Sequence, residues 1–306
     1  MSRVCPFCYS AKWEKTFQVD TFFNKKRFSY IKCSNCNLLY IYPFPEICDY
    51  IAMYPPDYQN NNVDLSIALN QYAKLPGLRF SYGFQLELIN QFANSTPKIF
   101  DYGCGNANFI ANAINYGFQC SGAEFNEEYV NKLRVTFQNA NFYTINDFIN
   151  GKITEKFDVI RLSNVLEHLI EPRVVMQKLK ANLKQGGVFL IEGPVEENFC
   201  ITFLIKKVYN AIKFILYANK LSSHPPYHVF FSNKKNQRLF FRLVGLKEFY
   251  FKVEENAWPF PANFKEAIGA KRKIMAIIAI VSMYITKKTK QNFGNTFIYI
   301  GIPENK

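Results

Sequence analysis

The sequence predicts an α/β fold, an open sheet flanked by helices behind a small cysteine-stapled N-terminal unit, and three observations point to it. An apolar run, Lys98-Ile-Phe100, leads into the glycine turn Asp101-Tyr-Gly-Cys-Gly-Asn-Ala-Asn108 and then a helical pattern over 109–116, so strand, turn and helix follow in order. Strand-like runs recur at 119–124, 157–162 and 186–192, the spacing that builds a mostly parallel sheet. Ahead of them stand two C-x-x-C pairs, Cys5/Cys8 and Cys33/Cys36.

The turn carries the chemistry. Gly103 and Gly105 let the backbone bend tightly and approach a ligand without Cβ interference, and the helix start beyond them offers unpaired N–H groups. That describes a nucleotide-type cofactor site. Two residues argue against a dinucleotide. Asn108 occupies the sixth position of G-x-G-x-x-G, where close helix–strand packing wants Gly or Ala. Asp101 precedes the glycines, where it repels a pyrophosphate but suits a cationic amino-acid moiety.

This stretch resembles motif I of the class I S-adenosylmethionine-dependent methyltransferases, D-x-G-x-G-x-G, with Ala107 in place of the third glycine. Later segments fit the same family in order. Glu124 ends the second strand near the spacing at which an acid meets ribose hydroxyls, and the resemblance implies that it binds the ribose. Asn146-Asp147-Phe148 resembles the segment that hydrogen-bonds the adenine amine, although Asp147 equally suits a helix N-cap. Ser163-Asn164-Val-Leu-Glu167-His168 resembles the "EH" segment of many small-molecule methyltransferases. The resemblance implies a Rossmann-like seven-stranded methyltransferase sheet closed by an antiparallel pair at 246–251 and 295–300. It also implies cofactor binding by Asp101, Gly103, Cys104, Gly105, Glu124, Phe125, Asp147, Phe148 and Asn164.

Length and composition are compatible with this. At 306 residues, 49% hydrophobic and 17% aromatic, the chain can fill one large or two modest cores, and disorder is expected only at short termini. Its net charge of +13 fits a lysine-rich solvated surface, or a face that steers phosphates, anionic lipids or nucleic acid. The opening Met1-Ser-Arg-Val-Cys-Pro lacks the apolar stretch of a secretory signal. A cytoplasmic location is expected, with peripheral contact at the inner membrane face an open alternative, and cytoplasmic cysteine pairs read as metal ligands before disulfides.

Cys5, Cys8, Cys33 and Cys36 can place four thiolates around one ion, a closed tetrahedral set suited to structural Zn²⁺. An iron–sulfur centre, a redox dithiol and chance spacing are the alternatives. Residues 13–31 carry aromatics and Val suited to short antiparallel strands, so 1–45 reads as a zinc ribbon, too small to be stable without a staple. Cys48, Cys104, Cys120 and Cys200 read as packing residues.

Residues 46–95 read as linker and lid helices. Prolines in Tyr40-Ile-Tyr-Pro-Phe-Pro-Glu46 and Tyr54-Pro-Pro-Asp-Tyr58 restrict the backbone to extended or turn forms, the polar run 59–62 follows, and 65–94 has helical spacing. The ribbon followed by these segments resembles bacterial methyltransferases with an N-terminal zinc-binding segment, several of which act in sugar or cell-surface glycan pathways. Residues 96–306 form the expected methyltransferase domain. A helical insertion at about 198–222, carrying Lys206, Lys207, Lys213 and Lys220, either caps the substrate pocket or lies on a membrane surface. The apolar run 274–285 is too short to span a bilayer.

Methyl transfer from a sulfonium requires an aligned nucleophile, exclusion of water and, for a hydroxyl or acidic carbon, removal of a proton. Histidine suits that last task. His224-Pro-Pro-Tyr-His228-Val-Phe-Phe-Ser232 resembles the substrate-facing loop of related sugar methyltransferases, which implies His228 as general base assisted by Tyr227 and His224. No acidic neighbour activates His228 in the sequence, and packing the loop is its alternative role. His168 is expected to position its own loop. The expected acceptor is a small molecule, a sugar, nucleotide-sugar or lipid-linked glycan intermediate. An RNA methyltransferase gripping phosphates through ribbon and basic surface is the alternative, against which stand the absence of dense Arg clusters and of an Asn-Pro-Pro-Tyr motif. A non-enzymatic scaffold with a degenerate pocket is a third reading, resting on Ala107.

Overall fold

The computed structural model describes residues 4–55, 81–93, 96–217, 221–255, 267–289 and 293–304. The run 59–62 and most of the helical spacing over 65–94 lie outside the described residues.

The cysteine-rich unit is a small antiparallel sheet of β1 (Trp13–Lys15), β2 (Thr21–Phe23), β3 (Lys26–Cys33) and β4 (Leu39–Tyr42), followed by the short helix α1 (Ile47–Met53). Asn24 and Lys25, with φ of 46° and 63°, make the tight β2–β3 turn, the left-handed pair that matches strand twist in a two-residue hairpin. The sequence reading closes this unit at residue 45. Its sheet also takes in β10 (Phe230–Phe231), which pairs antiparallel with β4.

Beyond α2 (Tyr82–Phe92) the chain alternates. β5 (Lys98–Tyr102), α3 (Asn108–Asn115), β6 (Gln119–Glu124), α4 (Glu127–Thr136), β7 (Asn141–Thr144), α5 (Ile145–Ile149), β8 (Phe157–Ser163), α6 (Pro172–Ala181) and β9 (Leu183–Pro194) follow in turn. The helix α7 (Ile201–Tyr217) occupies the expected insertion, and α8 (Lys234–Leu243), β11 (Leu246–Glu254), α9 (Ala270–Lys288) and β12 (Thr296–Pro303) complete the chain. The seven-stranded sheet runs β11-β12-β9-β8-β5-β6-β7. The five consecutive strands β9-β8-β5-β6-β7 are parallel, and β12 lies antiparallel to both β9 and β11.

Strand alternation divides the interior into two layers. Ile99, Val159, Leu190 and Ile298 face α2, α3 and α4. Phe100, Ile160, Phe189 and Tyr299 face the other way, into a core that includes α6, α8 and the cysteine unit. Phe7, fully buried, joins the unit to the domain, its ring 4.6 Å from Phe230 and 4.4 Å from Phe240. The unit therefore shares its core with the domain. Among the described residues no helix is long and apolar enough to cross a membrane. α7 and α9 do leave Val208, Ile212, Ile277 and Val281 exposed.

A buried polar chain runs through the sheet. The register sets Asp101 of β5 opposite Arg161 of β8, and Arg161 Nη1 donates to Asp101 Oδ1 at 2.7 Å. Arg161 Nε donates to Gln85 Oε1 at 2.8 Å, Gln85 Nε2 donates to Glu192 Oε2 at 2.9 Å, and the Ser163 hydroxyl donates to the same oxygen at 2.7 Å. The guanidinium also lies 4.0 Å from the Phe109 ring centroid, within cation–π range. Burial pushes both carboxyls upward against the pull of Arg161. Removing one partner of such a pair strands a buried charge, so Arg161→Met is expected to cost roughly 3–5 kcal/mol. Urea denaturation measures this, with part of the loss recovered when Asp101→Asn is added. Unchanged stability of the single variant would refute the assignment.

Candidate active site

The carboxyl ends of β5, β6 and β8 open onto one cavity of about 520 Å³. The turn after β5 holds Gly103 at φ 77°, Gly105 at 54° and Ala107 at 58°. All three are left-handed, the region glycine enters without penalty. Gly103 is also closely approached: a Cβ there would lie 2.4 Å from Val165 Cγ2. Glu124, at the end of β6, accepts the Gly105 N–H through Oε2 at 2.8 Å and the Phe125 N–H through Oε1 at 2.7 Å. Burial raises its pKa against those two bonds.

Of the residues expected to bind a cofactor, Gly103, Gly105, Glu124, Phe125 and Asn164 line this cavity. Four others do not. Asp101 is fully buried beneath the turn on Arg161. Cys104 packs against Gly122, where an added Cβ would meet its Sγ at 2.8 Å. Phe148 is buried with its ring 5.2 Å from that of Tyr102. Asp147 lies in the first turn of α5 and completes a capping box. Thr144 is the N-cap, accepting the Asp147 N–H at 2.9 Å, while Asp147 accepts the Thr144 N–H at 3.2 Å. The Lys152 ammonium, donating at 2.7 Å, and then Thr144 hold its carboxyl down to about 2. Two aromatic residues of the connector, Tyr50 and Tyr54, form another wall.

One end of the cavity meets a cluster of imidazoles and carboxylates. His168, in a single 3₁₀ turn after β8, lines the cavity, and its ring centroid is 4.9 Å from that of His228. His168 Nδ1 lies 2.8 Å from the Tyr227 carbonyl oxygen and 3.0 Å from the Tyr54 hydroxyl. The Tyr50 hydroxyl donates to the His168 carbonyl at 2.6 Å. His228 Nδ1 lies 3.0 Å from Glu196 Oε2, so the acid absent from the neighbouring sequence arrives from the segment after β9. Glu167 is buried, its Oε1 3.8 Å from His168 Nε2. His224 is exposed and, like Tyr227 and His228, is not among the residues that line the cavity; its ring lies 5.7 Å from that of Tyr227 and its Nδ1 2.8 Å from the Pro225 carbonyl oxygen.

Burial is the largest influence on each group of this cluster. It pushes Glu167 up to about 7 against the charge of His228. It drives His168 down to about 4, with the nearby His228 charge acting in the same sense. For His228, burial is outweighed by Glu196 and the pKa ends raised. Glu196 ends lowered because His228 and Lys206 outweigh burial. One ring is thus held neutral beside one that favours its charge.

The four cysteines converge as expected. Cys5 and Cys36 Sγ are 3.6 Å apart, Cys8 and Cys33 likewise, and all four sulfurs lie within 4.8 Å of one another. The two knuckles share one backbone pattern. Tyr9 N donates to Cys5 O and Asn37 N to Cys33 O, each at 2.9 Å, while Cys5 N and Cys33 N donate to Ser10 O and Leu38 O, again at 2.9 Å. Repeated loops presenting four soft ligands at this spacing fit one tetrahedral ion.

Comparison with known proteins agrees with the fold. Residues 79–230 match the family model described as a methyltransferase domain. The chain carries a methyltransferase domain. The matched region begins before α2 and ends at Phe230, so it contains the glycine turn, the His168 turn and the His228 loop. Over 115 residues the chain is 30% identical to a ubiquinone biosynthesis O-methyltransferase of Actinobacillus pleuropneumoniae serotype 7 (strain AP76), covering 34% of this chain and 49% of that protein. The chain spans about half the length of the curated relatives it matches. Among solved structures, the Haloferax volcanii complex of the Trm112 methyltransferase activator with a methyltransferase aligns at TM-score 0.51 and 14% identity, over 79% of this chain and 97% of that one. The [4+2]-cyclase SpnF aligns at TM-score 0.51 and 12% identity, over 86% and 99%. These likenesses show the fold alone.

Sequence reasoning missed Glu196, Gln85, Arg161 and the connector tyrosines. The methyltransferase domain's glycine turn supplies a sharp test of the geometry. Gly103→Ala is expected to cost roughly 2 kcal/mol through backbone strain and the clash with Val165. In a Val165→Ala background the cost shrinks, since only strain remains. Urea denaturation of the four proteins checks this, and equal costs in both backgrounds would show that Val165 does not close on the turn.

Proposed function

We propose that the protein transfers a methyl group from S-adenosylmethionine to an oxygen atom of a small molecule. The observation that carries this reading is one cavity lined by the glycine turn, Glu124 and His168, with the His228 ring packed 4.9 Å behind that of His168. Gly103 and Gly105 would let the backbone approach the cofactor, Glu124 would meet the ribose, and Phe125 and Asn164 would flank it. S-adenosylmethionine supplies the methyl group as an electrophile when bound there. The chain's own residues orient the acceptor, exclude water beneath Tyr50 and Tyr54, and handle the acceptor's proton at the His168–His228 end, where Glu196 holds His228 in place. Oxygen is favoured because proton-handling groups converge where the acceptor would sit, and because the curated relatives are named as O-methyltransferases. That the acceptor is a sugar or glycan intermediate is proposed on the sequence resemblance of the His224–His228 loop alone. The exposed apolar face of α7 and α9 supports peripheral membrane contact.

Titration calorimetry with S-adenosylmethionine tests the cofactor assignment. The wild-type protein should bind, and Glu124→Ala should bind at least about tenfold more weakly, a loss of ~1.4 kcal/mol. No binding by wild type would sink the reading.

We further propose that Cys5, Cys8, Cys33 and Cys36 hold a structural Zn²⁺. Replacing it with Co²⁺ should give the strong near-ultraviolet charge transfer of thiolate ligation, lost in Cys36→Ser. Removing the ion should lower the thermal midpoint, because the unit it staples shares the domain's core. Co²⁺ spectra without thiolate bands would exclude the assignment.

A further inference from the structure

We propose that Glu167, His168 and His228 bind a divalent first-row transition-metal ion at the end of the cavity, separate from the cysteine site. Three ligand-type side chains meet there from two distant segments, and one ligand atom of each lies within 4.8 Å of the others. The hydrogen bonds around them determine which atoms are available. The Tyr227 carbonyl can only accept, so the 2.8 Å contact places a proton on His168 Nδ1 and leaves Nε2 of the neutral ring with its lone pair. The Glu196 carboxylate is likewise an acceptor, so at 3.0 Å it fixes a proton on His228 Nδ1, and an ion would compete with a second proton for Nε2. An imidazole whose second nitrogen donates to a carbonyl or carboxylate is the usual arrangement behind a metal-bound histidine. Here both rings have it.

Glu167 supplies the third argument. It is 4% exposed, and its ion-pair contact among the described residues is the His168 ring at 3.8 Å, with no Lys or Arg at that range. A buried carboxylate needs a compensating cation, and a bound ion would supply that charge with both imidazoles neutral. Two imidazoles and one carboxylate suit Mn, Fe, Co, Ni or Zn, and three protein ligands leave positions open. His168 lines the cavity, so an open position can face the acceptor. An ion there would bind the acceptor hydroxyl and ease loss of its proton. That role rests on the methyl-transfer reading, whereas the site itself does not.

The experiment is calorimetric titration of Mn²⁺ into the full chain with its cysteine site loaded with zinc, repeated with S-adenosylmethionine. One Mn²⁺ per chain is expected. His228→Ala and Glu167→Gln should weaken it by about 100-fold or more, and Glu196→Gln, which changes only the group behind His228, by roughly 10- to 100-fold. Cys36→Ser, purified without added zinc, should still bind Mn²⁺. Each variant's S-adenosylmethionine affinity reports that it is folded, and His228→Ala stands in should Glu167→Gln misfold. Wild type that binds S-adenosylmethionine but no Mn²⁺ would overturn the metal site and spare the methyl-transfer reading. Mn²⁺ bound with no S-adenosylmethionine bound would do the reverse. Mn²⁺ affinity unchanged in His228→Ala would also overturn the proposal.

Discussion

The buried ion pair between Asp101 and Arg161 is the constraint on which the site depends. Each strand member of the polar chain stands just before a segment that faces the cavity or the histidine cluster. Asp101 precedes the glycine turn, Arg161 and Ser163 precede Asn164 and the His168 turn, and Glu192 precedes Glu196. In an open α/β sheet the ligand crevice lies outside the carboxyl ends of the strands. A one-residue slip between β5, β8 and β9 would displace the loops that face the cavity, and apolar packing alone tolerates such slips better than ionic pairing does. The cost is burial of two carboxylates, which Arg161, Gln85 and Ser163 together offset. The backbone follows the same line: Asn164, itself left-handed at φ 52°, donates its N–H to Glu192 O at 2.9 Å.

The cysteine unit positions the other side of the cavity. Val229 donates its N–H to Glu167 O at 2.8 Å and accepts the Ile41 N–H at 2.9 Å, so the residue after His228 is clamped between the 3₁₀ turn and β4. Asn236, in the first turn of α8, donates to Cys36 O at 2.7 Å. The unit also leads directly into the helix that carries Tyr50. A metal-stapled appendage that folded apart from the domain would make none of these bonds. Its sheet, its core and its exit segment all converge on His168 and His228, so order in the unit becomes order in the site.

Much of this was legible in the sequence. Strand, turn and helix alternate in plain view because local periodicity encodes them, and the cysteine pairs declare their geometry by spacing. Glu124, Gly103 and Gly105 are found from the same local pattern. What stayed hidden was pairing at a distance. Asp101 has a charge that a local reading assigns to a ligand, whereas the parallel register brings Arg161 to it from 60 residues away. His228 lacked an acid within its own loop, and Glu196 reaches it across 32 residues. β10 is two residues long and has no pattern of its own. Its strand character comes from β4. Asp147 could be narrowed to a cap or a ligand by sequence, and only the Thr144 hydroxyl and Lys152 beside it reveal the capping box.

The departure from the glycine pattern is placed where the backbone can bear it. Position 107 is left-handed and fully buried, which explains why glycine is expected there, and Ala pays the conformational penalty of about 1–2 kcal/mol. Its methyl group is enclosed, however, and burying one carbon returns roughly 0.8 kcal/mol. The net cost is small. Position 103 has no such compensation, because its left-handed backbone is met at once by Val165, the residue that follows Asn164 on the opposite wall. The second glycine must present its N–H to Glu124 from a φ of 54°. Two of the three positions are therefore tied to groups that line the cavity, while the altered one faces the interior. The substitution leaves the cavity-facing surface of the turn intact, and Ala107 alone is weak ground for a degenerate pocket.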